Sequence, residues 1–502
     1  MRTQNLILAI VLGLSAVSRA ADPPEKVVSE TWDAAYLNGA KAGHVHTLVK
    51  EITRGDQLVR RAEREMRLNI RRFGQLVQIR VDDFTEESRD GKVLSVGRKM
   101  AQGQNQMLEI SGVAKEGQLH VSVNQPNGGA FNRILPWRDD VVGLVGEENL
   151  LKEKKAKPGD SLSYRLFEPT VNNVILVQVK VNRFEEVPVN GKVIKLLRAE
   201  SVPEKIADIQ LPPTTIWMDE QFRFVRSQGE LPGLGRLLLV RGTKAVALAP
   251  TGNVPDMENL SIVLNRPITD RHARSEIRYR VTLSGDDSDP AGTFASDVRQ
   301  SVQNVNVADK SFELIVKAFR APDSKDVSLP AAKEFLESNY FLNSDDARVR
   351  QLAKLAAGNE SDPWKKALRI EKWVNRNMKA VTFSEAMATS DEVARTLQGD
   401  CTEFAMLTAG MCKAEGIPAR TAIGLIYYED RGVPKMGYHM WTEVFAGGNW
   451  VGLDATLGLG GVGSAHLKIS DHSWYNMRTL APMLPLMRVM VARPKIEVLQ
   501  VK

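Results

Sequence analysis

The sequence predicts an α+β protein, with an N-terminal all-β antiparallel region followed by a C-terminal α+β domain. Three observations predict it. From residue 22 to about 320, strand-like runs alternate with Asn-Gly, Asp-Gly and Glu-Gly pairs, which favour tight hairpins. Near residue 330 the apolar spacing changes to that of helices. After residue 419 strand-like runs return. The 502 residues suggest roughly three domains at about 150 residues each. Apolar and charged fractions of 43% and 25% are ordinary for globular chains and exclude gross disorder, collagen and a multi-span membrane protein. A net charge of +6 is mild at this length and does not call for nucleic acid as a partner. Two cysteines cannot supply a disulfide framework.

Residues 1–20 are expected to be an address rather than part of the fold. Arg2 precedes an apolar run from Leu6 to Val17, and Ser18-Arg19-Ala20 is a small-x-small cleavage pattern. The run is too short to span a bilayer comfortably. No integral membrane span is expected after cleavage at Ala20. The mature protein is expected to be secreted or periplasmic.

Residues 21–250 are expected to form a β-rich antiparallel domain of meander topology. Leu37-Asn38-Gly39-Ala40, Asp90-Gly91, Glu116-Gly117 and Asn190-Gly191 join strand-like runs, of which Met66–Ile79 and Lys192–Leu197 are examples. Pro126-Asn127-Gly128-Gly129 and Pro232-Gly233 mark longer loops. A composition shift near Pro250-Thr251-Gly252 opens a connecting region, 251–325, with further strands around the polar loop Ser284–Pro290. His44 and His46 share one strand face, but no third ligand is evident and no metal site is predicted. Asn259-Leu260-Ser261 and Asn359-Glu360-Ser361 fit the glycosylation acceptor pattern.

Residues 326–502 carry the informative residues. Ser344-Asp345-Asp346 can cap a helix running through Leu355. Ser361-Asp362-Pro363 starts another, with Ala367, Ile370, Val374 and Met378 at helical spacing and Trp364 and Trp373 expected in the core. Ser390-Asp391 opens a shorter helix. Asp400 with Glu403 three residues later reads as a capping box, so a helix starts at Cys401 and stops at Gly416-Ile417-Pro418. Phe404, Leu407, Thr408 and Met411 form its buried stripe. Cys401 on the first turn meets unpaired backbone N–H groups and the positive end of the helix dipole, which favour a thiolate.

A nucleophilic Cys needs a base, and the base needs an orienter. Residues 419–428 read as a strand, followed by His439-Met440-Trp441 on a second and Trp450–Asp454 on a third. A two- or four-residue loop centred on Gly447-Gly448 puts Asp454 opposite Trp441. His439 lies two residues from Trp441 on the same face. His439 and Asp454 are then diagonal neighbours within hydrogen-bond reach.

The run Gly399-Asp400-Cys401-Thr402-Glu403-Phe404-Ala405, then Gly416–Arg420, His439–Val444 and Trp450–Thr456, resembles the transglutaminase-like superfamily, whose members share a papain-like Cys-His-Asp core. The resemblance covers roughly 330–480. It implies Cys401 as nucleophile, His439 as general base and acid, and Asp454 as orienter. The implied chemistry is acyl transfer from an amide bond, peptide or Gln side chain, through a thioester resolved by water or an amine. Animal transglutaminases tend to carry Gln before the Cys and calcium-binding modules; here Asp400 precedes Cys401, as in many microbial relatives, and no calcium loop is evident. No cofactor is implied. The oxyanion donors would be the Cys401 N–H and an upstream side chain, with Gln398 the candidate.

The other residues have plainer readings. Cys412 lies about 16 Å along the same helix, too far for a disulfide with Cys401, and is expected to be buried. Trp441 is expected beside the site and Arg420 against a carboxylate. Either His466 or His472 could line the cleft, but both are expected in surface or structural roles. Residues 486–498 read as a final strand pair. The partner is expected to be a protein or peptide substrate, with an envelope partner met through the β-rich region. The competing reading is a non-catalytic envelope binding or assembly protein with a degenerate domain.

Overall fold

The computed structural model describes residues 25–54, 57–72, 75–102, 108–124, 130–169, 171–205, 211–231, 234–252, 254–255, 261–283, 290–322, 331–381, 388–475, 481–492 and 494–502. The expected signal segment and the loops at 126–129 and 284–289 lie outside these residues, as do Pro232-Gly233, Asn259 and Leu260.

The N-terminal region is one antiparallel sheet. Its strands are β1 (Lys26–Leu37), β2 (Ala40–Arg54), β3 (Gln57–Arg72), β4 (Gln75–Glu87), β5 (Val93–Gln102), β6 (Leu108–Lys115), β7 (Gln118–Asn124) and β8 (Ala130–Pro136). A helix, α1 (Gly146–Glu153), follows, then β9 (Ser161–Glu168), β10 (Asn173–Val189), β11 (Lys192–Pro203), β12 (Thr214–Met218), β13 (Phe224–Leu231) and β14 (Gly235–Gly242). The order is a meander outward from β1 to β8, and a second meander from β9 back to β14, which pairs with β1. The hairpin chemistry explains the register. Asn38-Gly39, Glu116-Gly117 and Asn190-Gly191 all have positive φ at both positions, as a two-residue turn matched to strand twist requires. The strand-like run Met66–Ile79 is divided between β3 and β4.

The two edges of this sheet meet. Val141, just after β8, bridges Arg165 of β9, and Val142 N–H donates to Arg165 C=O at 2.8 Å. Leu135 of β8 and Phe167 of β9 share one apolar cluster with Val93, Ile110 and Val121. The sheet therefore curls until side chains of its two edge strands share a core. Leu151 of α1 is buried in a neighbouring cluster with Tyr164, Val177 and Met218.

A short helix α2 (Lys244–Leu248) leads into the rest of the chain: β15 (Ile262–Val263), β16 (Glu276–Leu283), β17 (Gln300–Asn306), β18 (Ser311–Lys317), α3 (Ala347–Ala357), α4 (Pro363–Asn377), β19 (Lys379–Ala380), α5 (Ser390–Thr396), β20 (Gln398–Gly399), α6 (Cys401–Ala414), β21 (Ala419–Asp430), β22 (Val433–Ala446), β23 (Asn449–Leu453), β24 (His466–His472), α7 (Leu484–Ala492) and β25 (Pro494–Val501). Asp346 caps α3 by accepting from Arg348 and Val349 N–H; Asp362 caps α4, with Pro363 at its start. The path β15-β22-β21-β24 forms one sheet, with β23 paired to β22; β17-β18-β16-β25 forms another. One core joins them. It runs from Ile277 and Tyr279 through Leu352, Ile370 and Met406 to Val444, Leu467 and Val498.

Two expectations need correction. Residues 486–498 are not a strand pair: α7 precedes a single strand, β25, which pairs with β16. Leu and Met dominate the first half of the segment and are good helix formers. An even apolar run carries no period that separates helix from strand. Helix α6 is not striped either. Glu403 through Lys413 are all buried, so it is a central helix covered on every side.

Candidate active site

The local sequence sets the start of α6. Asp400 is the N-cap: its Oδ1 accepts from Thr402 N–H at 2.9 Å, and Glu403 Oε2 accepts from Asp400 N–H at 2.9 Å. Glu403 Oε1 also accepts from Ala388 N–H at 3.3 Å. Burial, then the adjacent Asp400 charge, push the Glu403 carboxyl well above its ordinary range. Gly399 is required here, because a Cβ on it would lie 2.2 Å from the Glu403 side chain. Cys401 is thus the first residue of a capped helix and is half-buried.

The register of the β22–β23 hairpin brings His439 toward Asp454. Gly447 and Gly448, with φ of 58° and 84°, form the two-residue turn. The pairs run from Ala446–Asn449 to Thr442–Leu453, so Asp454 emerges one step later, opposite Trp441. His439 Nε2 lies 2.8 Å from Asp454 Oδ2. The Cys401 side chain is close enough to this ring to raise its pKa. Since Nε2 is engaged by Asp454, Nδ1 is the nitrogen left for the thiol.

The electrostatics follow from burial against pairing. Burial acts to lower the His439 pKa, but the Asp454 charge, the hydrogen bond to Asp454 and the nearby Cys401 side chain outweigh it, so the net shift is well upward. Burial acts to raise Asp454, and the His439 charge with hydrogen bonds from His439 and His466 reverses this, holding the carboxyl far below the usual range.

A second imidazole, which the sequence reading assigned a surface or structural role, shares this carboxylate. His466 Nε2 lies 3.0 Å from Asp454 Oδ2, and His466 is fully buried. Thr456 N–H donates to Asp454 Oδ1 at 3.0 Å. Asp454 N–H donates to Glu371 Oε1 at 3.1 Å, and Gly460 N–H reaches the same oxygen at 3.3 Å. Burial, only partly offset by these two N–H donors and reinforced by the Asp454 charge, pushes the Glu371 carboxyl up to about 7. Nothing in the local sequence flags His466 or Glu371. His466 starts β24, and its neighbourhood is made by the pairing of β24 with β21.

The other predicted residues fall as follows. Gln398, the oxyanion candidate, is exposed, and its short strand pairs with β19. Trp441 is buried with its ring near His439 (centroids 6.3 Å apart) and edge-on to His466 (5.5 Å). Cys412 is fully buried, and burial drives its thiol pKa far up. Arg420 pairs with Glu443 and Asp471 and stacks on Trp450. His472 Nδ1 accepts from Trp474 N–H at 2.7 Å. In the N-terminal sheet, His46 stacks on Trp32 and pairs with Glu30. Among the described residues, His439, Asp454 and His466 alone gather three ligand atoms, within 4.8 Å of one another. The donor set is one Zn²⁺ accepts, but mutual hydrogen bonds already account for these atoms.

Residues 350–455 match the family model of the transglutaminase-like superfamily. This is a transglutaminase-like domain. The match includes Cys401, His439 and Asp454 and stops short of His466. No curated protein matches the chain in sequence. Among solved structures, similarity extends to a candidate cysteine protease from Cytophaga hutchinsonii, at 16% identity and TM-score 0.29, over 46% of this chain and 87% of that one. A β-barrel-like protein of the DUF1849 domain from Brucella abortus is similar at 11% identity and TM-score 0.30, over 43% of this chain and 95% of that one. The periplasmic domain of TgpA from Pseudomonas aeruginosa, bound to ethylmercury, is similar at 14% identity and TM-score 0.22, over 37% and 91%. No described helix flanking the transglutaminase-like domain, or elsewhere among the described residues, is long and apolar enough to cross a membrane.

Proposed function

We propose that the transglutaminase-like domain is a thiol acyl-transfer enzyme acting on amide bonds of a protein or peptide substrate, with Cys401 as nucleophile, His439 as general base and acid, and Asp454 as its orienter. The observation that carries this reading is the His439 ring held 2.8 Å from Asp454 Oδ2, with the Cys401 side chain at the start of α6 near enough to raise its pKa.

The steps balance. Cys401 gives its proton to His439 Nδ1, and the thiolate attacks the amide carbonyl. The tetrahedral adduct collapses as His439 returns the proton to the leaving amine, leaving a thioester. Water or an acceptor amine then attacks, with His439 taking its proton, and Cys401 is released. Water gives hydrolysis; an amine gives transamidation. The Cys401 N–H at the helix start, with a second donor for which Gln398 is the candidate, would meet the oxyanion. We further propose that the protein acts after export, in the periplasm or outside the cell, and that the curled N-terminal sheet holds the substrate or an envelope partner. Support for export is the basic-apolar-small pattern of residues 2–20.

The test is iodoacetamide labelling of the full chain across pH, for wild type, Cys401→Ala, Cys412→Ala and His439→Ala. Fast labelling of Cys401 near neutral pH, slowed by His439→Ala, is expected. Amide substrates with and without amine acceptors then separate hydrolysis from transamidation. A Cys401 that labels no faster than a free thiol would leave a degenerate site and a binding or assembly protein.

A further inference from the structure

Asp454 is held by more than the residue it would orient. Its Oδ2 faces two imidazoles, His439 at 2.8 Å and His466 at 3.0 Å, and its Oδ1 accepts from Thr456 N–H. An ionised carboxylate accepts hydrogen bonds and donates none. Both Nε2 atoms therefore carry a proton toward it. His466 is fully exposed to protein and not at all to water, so a broken bond there would not be replaced by solvent.

We infer that His466 is a positioning residue of the Cys401 site: a neutral imidazole that donates its Nε2–H to Asp454 and so keeps the carboxylate turned toward His439. This rests on the function proposed above. The surroundings favour the neutral ring. Burial is the main cause of its low pKa, about 4; Asp454 opposes that, while the His439 and Arg299 charges reinforce it. Arg299 is itself buried and donates to the main-chain oxygens of His466 (2.7 Å) and Gly463 (3.3 Å). It lies just before β17, so the connecting region holds the main chain that carries the ring. Further charged groups surround the pair. Glu371 of α4 binds Asp454 N–H, and His272 of the connecting region senses the Asp454 charge. Lys468, two residues along β24, is taken up by Asp297, Glu443 and Asp471. With Nε2 as the donor, Nδ1 is bare, and it has no protein partner.

A ring that only filled the core would leave the proton chemistry of His439 unmoved when replaced. The experiment compares wild type, His466→Phe and His466→Gln in the full chain. Gln keeps an amide N–H near the Nε2 position; Phe keeps only the ring volume. Two readouts are used: ring nitrogens by ¹⁵N-histidine NMR, and the pH profile of Cys401 alkylation by iodoacetate, whose alkaline limb follows loss of the His439 proton. In the wild type His466 should stay in the neutral Nε2–H form from pH 5 to 9. His466→Phe should let Asp454 turn away, so that His439 loses its proton at least about half a pH unit lower. Alkylation near pH 7 should slow about tenfold or more. His466→Gln should restore most of both, with circular dichroism checking the fold of each variant. An unmoved His439 titration in His466→Phe would overturn the inference. So would an upward shift, which would mean that His466 merely draws charge from Asp454. A His466 ring found protonated, or protonated on Nδ1 instead, would overturn it as well. The NMR titration needs no substrate and no reactive Cys401, so failure of the proposed function remains distinguishable from failure of this one.

Discussion

The Nε2 atom of His439 lies 2.8 Å from Asp454 Oδ2 because a two-residue glycine turn sets the register of the strands that carry them. A one-residue slip would send the His439 side chain to the opposite sheet face. The carboxylate selects the ring tautomer: Nε2 bears the proton toward Asp454, which leaves Nδ1 to act as the base. Asp454→Asn removes the charge and leaves an amide that can offer either a donor or an acceptor. We expect the His439 pKa to fall toward its burial-dominated value and the Cys401 alkylation rate at pH 7 to drop by about 10²-fold or more. Stopped-flow alkylation, with circular dichroism as a check of the fold, measures this. A rate within threefold of wild type would remove Asp454 from the site.

The two cysteines should separate cleanly. Cys412 is fully buried and its thiol is driven upward by burial, so it is neither accessible nor ionised near neutral pH. Peptide mapping after brief native alkylation should find label on Cys401 alone. Label should reach Cys412 only in denaturant. Comparable labelling of both in the native protein would contradict the packing around α6.

Glu371 gives a pH signature opposite to that of Asp454. Its folded pKa of about 7 lies above the ordinary 4.5, so between these values the folded state binds a proton the unfolded state lacks. Stability therefore falls as pH rises from about 4.5 to 7, by a few kcal/mol, on the order of 3. Asp454 works the other way. Its pKa is depressed, so its contribution is present above the ordinary 3.8 and is lost as pH falls below it. Glu371→Gln keeps the oxygen that accepts from Asp454 and Gly460 N–H. Urea unfolding at pH 5 and pH 8 should show a smaller stability difference in the variant than in wild type; equal differences would rule out Glu371 as the titrating group.

Gly424 pairs with both His439 of β22 and Lys468 of β24. A Cβ there would lie 1.9 Å from the Leu467 main-chain oxygen and 3.0 Å from the Trp441 ring. Main chain cannot give way as a flexible side chain does. Gly424→Ala should push β24 off β21 and cost about 2–4 kcal/mol. Gly39→Ala is the control: its Cβ meets nothing within 4 Å, and its positive φ alone should cost about 1 kcal/mol. Thermal unfolding of both variants checks the order.

Much of this architecture can be read in local chemistry. Asn38-Gly39, Glu116-Gly117 and Asn190-Gly191 announce tight turns because few residue pairs accept positive φ twice. Asp400 and Glu403 announce the start of α6 because each satisfies the other's unpaired N–H. The His439–Asp454 proximity can be counted out from Gly447-Gly448, since a hairpin of known loop length has known partners. Residues 486–498 could not be read in this way. Leu484–Ala492 is apolar without a period, and β25 is stabilised by β16, more than 200 residues earlier in the chain. The all-round burial of α6 was equally hidden, since it depends on α3, α4, α5 and two strands closing around it.

The sequence by itself determined the turns, the helix caps, the capped cysteine and the His–Asp hairpin, because each of these is set by neighbours within about twenty residues. Only the tertiary structure decided that the fourteen-stranded sheet curls until β8 and β9 share a core. It also decided that His466 and Glu371 converge on Asp454, with Arg299 held against the His466 main chain. Those residues come from β24, α4 and the segment before β17, and no local period links them. They meet because burial leaves every polar group there a choice between a protein partner and none.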